Sequence, residues 1–249
     1  MQESSLESVR EKLKTLHLKA CADNLMQILE QAQKQNLSLL QVIERLLDLD
    51  LELRRQSRAQ LKFRQSRLLE KPTIDQFDFH YHVSRTKQKA RILHLMDLVF
   101  IQQKKDIIFI GYPGVGKSFL AKCIAYAATQ NGIGTLFTTA MDMINHLVAA
   151  EADHSLLKKL HAYQSPDLLV IDEIGYLPLG NQGSNLFFQV ISARHEKKST
   201  IITTNLPFAD WGKIFDSTTV ATAIADRLVY NSEVIILEGP SYRKRSKAK

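Results

Sequence analysis

Gly111-Tyr112-Pro113-Gly114-Val115-Gly116-Lys117-Ser118 decides the fold. The stretch matches G-x-x-x-x-G-K-S. It follows the apolar run Asp106-Ile107-Ile108-Phe109-Ile110 and opens an Ala-rich segment from Lys117 to about Gln130. Strand, glycine-rich turn and helix, in that order, are the context in which this motif holds phosphate. Gly114 and Gly116 put no Cβ between the backbone and an oxyanion, so successive amides and the helix N-terminus can cradle it. Lys117 supplies a point charge to β- and γ-phosphates, and Ser118 a hydroxyl to Mg²⁺. A plain glycine-rich turn before a helix does not demand Lys-Ser at that point.

Downstream, Leu168-Leu169-Val170-Ile171-Asp172-Glu173 supplies the matching half of the site. Four apolar residues bury a strand, and two carboxylates emerge at its C-terminal end, where ligands of open sheets bind. Asp172 is the expected Mg²⁺ partner. Glu173 is expected to polarise the attacking water, which favours hydrolysis over transfer to a small acceptor. Thr203-Thr204-Asn205 closes a further strand and offers a polar side chain to the γ-phosphate or the water. Two arginines are candidates for the cation that hydrolysis gains from, Arg227, in Asp226-Arg227-Leu228, and Arg194, and either could instead serve as a surface salt-bridge partner.

The texture around these motifs alternates strand and helix. Strands are predicted at 106–110, 135–139, 167–172, 199–204 and 233–237. Helices are predicted at 117–130, 141–150, 154–163, 185–197, 208–214 and 220–228. Strands separated by helices imply a parallel sheet covered on both faces. Before Asp106 the chain reads as helix. Leu6, Val9, Leu13 and Leu16 recur at three and four, as do Leu25, Ile28 and Leu29. Asn36-Leu37-Ser38 is a break, and a long helix follows past Leu61. Lys71-Pro72 stops it and sets the expected boundary between a helical domain, 1–72, and an α/β domain, 73–249. One helix is expected around Lys87 to Gln103.

Length, charge and cysteines narrow the classes. The 249 residues suffice for an α/β domain plus a small extra one. A net charge of +7 suits polyanion partners. Cys21 and Cys123, far apart, build neither a metal cluster nor a disulfide framework, so the expected compartment is reducing and cytoplasmic. The polar start is unlike a signal peptide. No apolar run reaches spanning length, so no membrane is expected.

The order of phosphate loop, Val-Ile-Asp-Glu, Thr-Thr-Asn and Asp-Arg-Leu resembles AAA+ ATPases, most closely the branch of DnaC helicase loaders and IstB transposition helpers. The stretches Gly111–Ala121, Leu168–Leu177, Ser199–Leu206 and Ala225–Arg243 carry the likeness. So does the N-terminal module with Leu46-Leu47-Asp48-Leu49-Asp50-Leu51-Glu52 and Ile74-Asp75-Gln76-Phe77-Asp78-Phe79, which favours IstB over DnaC. The resemblance implies an AAA+ core with strand order 5-1-4-3-2. It implies nucleotide contacts from Gly111, Pro113, Gly114, Val115, Gly116, Lys117, Ser118 and Phe119. Asn205 matches the first sensor, Arg227 an arginine finger acting in the next subunit's site, and Arg243 the second-sensor arginine. With 12 residues after Leu237, no C-terminal lid domain is expected. Met141–Tyr163 sits where initiator-type members insert an extra helix.

The implied activity is ATP- and Mg²⁺-dependent assembly of a homo-oligomer on duplex DNA, with recruitment of the transposase of the same mobile element. A helicase-loading ATPase is the alternative, and a small-molecule kinase a weaker third. Residues 51–71 hold seven basic side chains against two acidic ones. Within them Arg54, Arg55, Arg58 and Lys62 recur near one helical face, a stripe suited to phosphates and blind to sequence. Lys158 and Lys159, and the basic tail Arg243–Lys249, are further candidates.

Overall fold

The computed structural model describes residues 2–244, with side chains from Ser5 to Arg243. The chain divides into two compact units, residues 1–60 and 61–249.

The first unit is helical. α1 (Gln2–Thr15), α2 (Lys19–Gln35) and α3 (Leu39–Gln65) follow one another, and Cys21, Ala22, Leu25, Ile28 and Val42 are buried. Asp50, also buried, accepts from the Ala20 amide at 3.1 Å and from Arg54 Nε at 2.8 Å. The charge is thereby satisfied, as a buried carboxylate requires. Leu39, Leu40, Ile43 and Leu47 stay exposed on α3.

α3 ends at Gln65, ahead of the proline stop. Arg67 turns left-handed at φ 63°, and the Ser66 carbonyl accepts from the Phe137 amide at 2.8 Å. Phe63 meets Tyr126 edge-on at 5.7 Å. Residues 61–72 therefore pack with the second unit, and the division falls before Pro72. A second difference lies in the connector. The single helix expected at 87–103 is two, α4 (Val83–Leu95) and α5 (Val99–Gln102). α4 begins early because His82 Nδ1 accepts from the Ser84 amide. Leu98, at φ 59°, breaks the run and lets Leu95, Leu98, Phe100 and Ile101 all enter the core.

The rest of the second unit is β1 (Asp106–Gly111), α6 (Lys117–Gln130), β2 (Thr135–Thr139), α7 (Ala140–Ala152), α8 (Leu156–Gln164), β3 (Leu168–Ile174), α9 (Gly180–Arg194), β4 (Ser199–Thr204), α10 (Thr218–Tyr230) and β5 (Ser232–Leu237). The sheet runs β2-β3-β4-β1-β5, the implied order read from its other edge, and every pair is parallel. Alternation along the strands builds two cores. Ile107, Phe109, Val170, Ile201 and Ile235 join α4, α5 and α6, while Ile108, Leu169, Ile171 and Ile202 join α7, α8, α9 and α10. This doubly covered sheet brings the ends of β1, β3 and β4 to one edge.

Candidate nucleotide site

Gly116 caps α6 in the left-handed region at φ 107°, and Gly114 lies at φ 85°. Side chains rarely adopt either conformation. Space forbids them as well: a Cβ on Gly116 would come within 2.6 Å of Phe77 Cε2, and one on Gly114 within 2.0 Å of Ser241 Oγ. The loop is thus pressed from one side by the connector and from another by the C-terminal segment. Gly111 closes β1, Pro113 is exposed, and Val115 is buried beneath the turn. Lys117, 9% exposed, donates from Nζ to Gly111 O at 2.6 Å and Tyr112 O at 3.0 Å. Burial pulls its ammonium below the usual lysine range. Asp172 opposes that shift, and nearby Arg243 adds to it. Lys117, Asp172 and Arg243 therefore share one electrostatic neighbourhood.

β3 carries a bulge. Ile171 pairs Ile202, but Ile174 pairs Thr204, so one extra residue lies between them. Bulges re-aim side chains at functional edges. Here the bulge holds Asp172 at 5% exposure and leaves Glu173 exposed at φ 62°. A non-glycine residue in that region is strained and needs support. The support is Thr203, whose hydroxyl donates to Asp172 Oδ1 and accepts from the Glu173 amide at 3.0 Å. Asn205 stands beside the following turn, its Oδ1 3.1 Å from where Gly175 would carry a Cβ. Ser118 and Asp172 each offer oxygen, the donor chemistry that suits Mg²⁺. Among the described residues no cluster of three or more His, Cys, Asp or Glu is placed to hold a metal, so further oxygens would have to come from phosphate and water.

A cavity of about 310 Å³ opens beside the loop. Gly114, Gly116, Lys117, Ser118, Phe119 and Arg243 line it, as expected from their positions in sequence. Phe119 stacks on Phe77 at 6.2 Å. Gln76, Asp78 and Tyr242 also line it, from the stretches that carry the family likeness, whereas Arg85 belongs to no motif. Arg85 is 2% exposed and donates to Val115 O at 2.7 Å and Asp78 O at 3.0 Å. Burial lowers its pKa. No local pattern distinguishes it from its basic neighbours Lys87 and Lys89.

Other expected residues lie apart. Arg227 is on the last turn of α10, with Nη1 bonded to Ala223 O and its guanidinium 4.6 Å from the Phe188 ring. β5 begins just after it and pairs Ser232 with Asp106 at the start of β1. Arg227 therefore lies at the sheet end opposite Gly111. Arg194 is no finger. It is 1% exposed and bonds the carbonyls of Tyr163, Gln164, Pro166 and Ser199. All four residues of the basic stripe lie on α3. Arg54, Arg55 and Arg58 border a groove with His17 and Lys19 in the first unit, whereas Lys62 lines a cavity with Arg67 and Asp167 in the second. Arg54 is partly committed, to Asp50 and to His17 O. Lys158 and Lys159 lie on α8, with Lys158 exposed and Lys159 half-buried. Of the basic tail, residues 245–249 lie outside the described residues. Among the described residues no helix is long and apolar enough to cross a membrane.

Comparison with known proteins sets this geometry in a family. The family model described as IstB-like ATP binding protein matches residues 11–249. A protein named for ATP binding in insertion sequence IS5376 of Geobacillus stearothermophilus is 37% identical over 241 residues, 97% of this chain and 95% of that one. Its counterpart in IS21 of Pseudomonas aeruginosa is 34% identical over 98% of this chain and 90% of its own. Among solved structures, the DnaC helicase loader is 24% identical with a TM-score of 0.59, covering 66% of this chain and 96% of that chain. AMPPCP-bound DnaA from Aquifex aeolicus is 17% identical with a TM-score of 0.59, covering 74% and 57%. At those identities the likeness is one of fold.

Proposed function

The chain belongs to the family of IstB-like ATP binding proteins, and from that premise we propose that it is an ATP-hydrolysing switch of an insertion sequence, which assembles on duplex target DNA and recruits the element's transposase to it. The carrying observation is that Lys117 and Arg243 line one cavity beside the phosphate loop, with the Asp172 charge acting on Lys117, in a chain matched nearly end to end by insertion-sequence proteins.

In this reading the loop amides and the N-terminus of α6 receive the phosphates. Lys117 turns its ammonium from the Gly111 and Tyr112 carbonyls to β- and γ-oxygens. Ser118 and Asp172 would hold Mg²⁺, which when bound offsets charge on the phosphates. Glu173, set by the Thr203 hydroxyl, polarises the attacking water, and Asn205 helps to orient it. Arg243 reaches the phosphates of its own subunit. Arg227, at the far end of the sheet, serves a neighbour's nucleotide, so that ATP holds the homo-oligomer together and hydrolysis loosens it. Arg54, Arg55, Arg58, Lys62, Lys158 and Lys159 contact DNA backbone without reading sequence, with an affinity that falls steeply as salt rises. The exposed leucine face of α3 supports a role for the N-terminal helices, 1–72, in oligomer or partner contacts.

The test is to mix the chain with ATP and duplex DNA, image the assemblies by electron microscopy and measure turnover. Arg227→Ala is expected to bind nucleotide as the unmodified chain does, while turnover falls roughly 1000-fold and assemblies are lost. Normal assembly and turnover in that variant would remove the neighbour-completed site. Capture of a replicative helicase in place of the transposase would replace the transposition role with helicase loading.

A further inference from the structure

We propose that Arg85 is a positioning residue of the ATP site: it clasps the C-terminal strap, residues 238–243, against the phosphate loop and so fixes Arg243 over the nucleotide of its own subunit. The inference rests on the ATP-site reading above and deepens it.

Four observations converge. First, Arg85 bridges two backbone segments, donating to Val115 O inside the phosphate loop and to Asp78 O in the connector, with the Asp78 charge also favouring its cationic form. Second, its guanidinium faces three aromatic rings, 4.4 Å from Phe77, 4.9 Å from Tyr81 and 5.0 Å from Tyr242. Tyr242 stands immediately before Arg243. Third, the strap is tied on both sides of that stack. The Tyr242 amide donates to Gly114 O at 2.9 Å, the Tyr81 hydroxyl to Ser241 O at 3.1 Å, and the Tyr81 and Tyr242 rings meet edge-on at 4.8 Å. Fourth, the strap's root is fixed to α4. The Glu238 amide donates to Ser84 Oγ at 3.0 Å, and Gly239, at φ 117°, has no room for a Cβ against His82.

The chemistry requires an arginine. A planar guanidinium can donate in its plane to two separate carbonyls while offering its faces to rings, which a lysine ammonium cannot do. Burial of an uncompensated cation is costly, and here carbonyl oxygens, ring faces and the charge of Asp78 supply the compensation. Arg85 lines the same cavity as Lys117 and Arg243, yet its donors go to the protein. It acts through the strap, and the residue it delivers is Arg243.

The experiment is a double-mutant cycle in the full chain, read as the Kd of a fluorescent ATP analogue and of its ADP counterpart. Arg85→Lys and Tyr242→Ala are each made alone and together with Arg243→Ala. Each is expected to weaken ATP about tenfold on its own and ADP less. With Arg243 already removed, each should change ATP affinity by less than about twofold, because the strap then has nothing to deliver. Equal losses with and without Arg243 would overturn the proposal, since Arg85 would then serve the fold or the loop alone. Tyr242 is 38% exposed, so Tyr242→Ala keeps the cycle decisive if Arg85→Lys fails to fold, as judged by circular dichroism. An unmodified chain that binds no ATP analogue would overturn the ATP-site reading and this inference together, before any variant is compared.

Discussion

The two ends of the parallel sheet both bury polar groups, and the contrast between them separates structure from function. At the end where the strands begin, Arg194 spends its donors on the carbonyls of Tyr163, Gln164, Pro166 and Ser199 and on Thr200 Oγ1. Asp106 there accepts from the Thr200 amide at 2.6 Å. At the other end, Lys117 and Arg243 line a cavity, the charge of Asp172 acts on Lys117, and glycines and Glu173 are held at positive φ. One end is closed and saturated. The other is open, strained and supported from behind by Thr203 and Arg85. Burial of a charged group does not by itself mark a site; what marks it is whether its donors and acceptors face space that a ligand can fill.

Four measurements test that contrast, from the largest expected effect downward. Arg194→Ala removes a buried cation and strands several carbonyls, and is expected to cost about 3–5 kcal/mol. The midpoint of thermal unfolding should fall on the order of 10 °C, while the protein that remains folded binds ATP with unchanged affinity. If ATP affinity falls in step, the closed end is not purely structural. Glu173→Gln works at the open end without touching the fold. Turnover should fall roughly 100-fold or more with stability and ATP binding retained, and a rate within a few-fold of normal would remove Glu173 from the water-activating role.

Lys117→Ala is expected to weaken ATP by roughly 10- to 100-fold. Because burial already disfavours the ammonium, the variant should unfold no more easily than the parent, which chemical denaturation would check. The smallest effect concerns pH. Burial raises the Asp106 carboxyl from 3.8 to about 7. The folded state therefore holds its proton where the unfolded state has lost it, and stability should decline as pH rises from about 4 through 7. Asp106→Asn keeps an acceptor for the Thr200 amide and should flatten that slope in thermal melts. A slope unchanged by the substitution would mean that Asp106 is ionised in the folded protein.

Much of the open end was legible in the sequence because its logic is local. Gly114, Gly116, Lys117 and Ser118 act within one turn of chain, and Asp172 and Glu173 announce themselves as acids at the end of an apolar run. The closed end was ambiguous for the same reason. Arg194 has no distinguishing neighbours in sequence, and its partners come from the end of α8 and the start of β4. Proline is the strongest stop for α3 that the local sequence offers, whereas the helix ends earlier, where the Ser66 carbonyl accepts from the Phe137 amide.

By itself the sequence determined the phosphate loop, the paired acids and the alternation that yields a covered parallel sheet, since each follows from residues a few positions apart. Tertiary structure alone decided that Thr203 bonds both Asp172 and Glu173, that Arg85 lines the cavity beside the phosphate loop, and that the segment carrying Arg243 returns to the same cavity as Lys117. Those contacts join groups separated by 30 residues for Arg85 and Val115 and by 160 for Tyr81 and Ser241. A backbone carbonyl has the same identity at every position, so only the folded path of the chain determines which arginine will meet it.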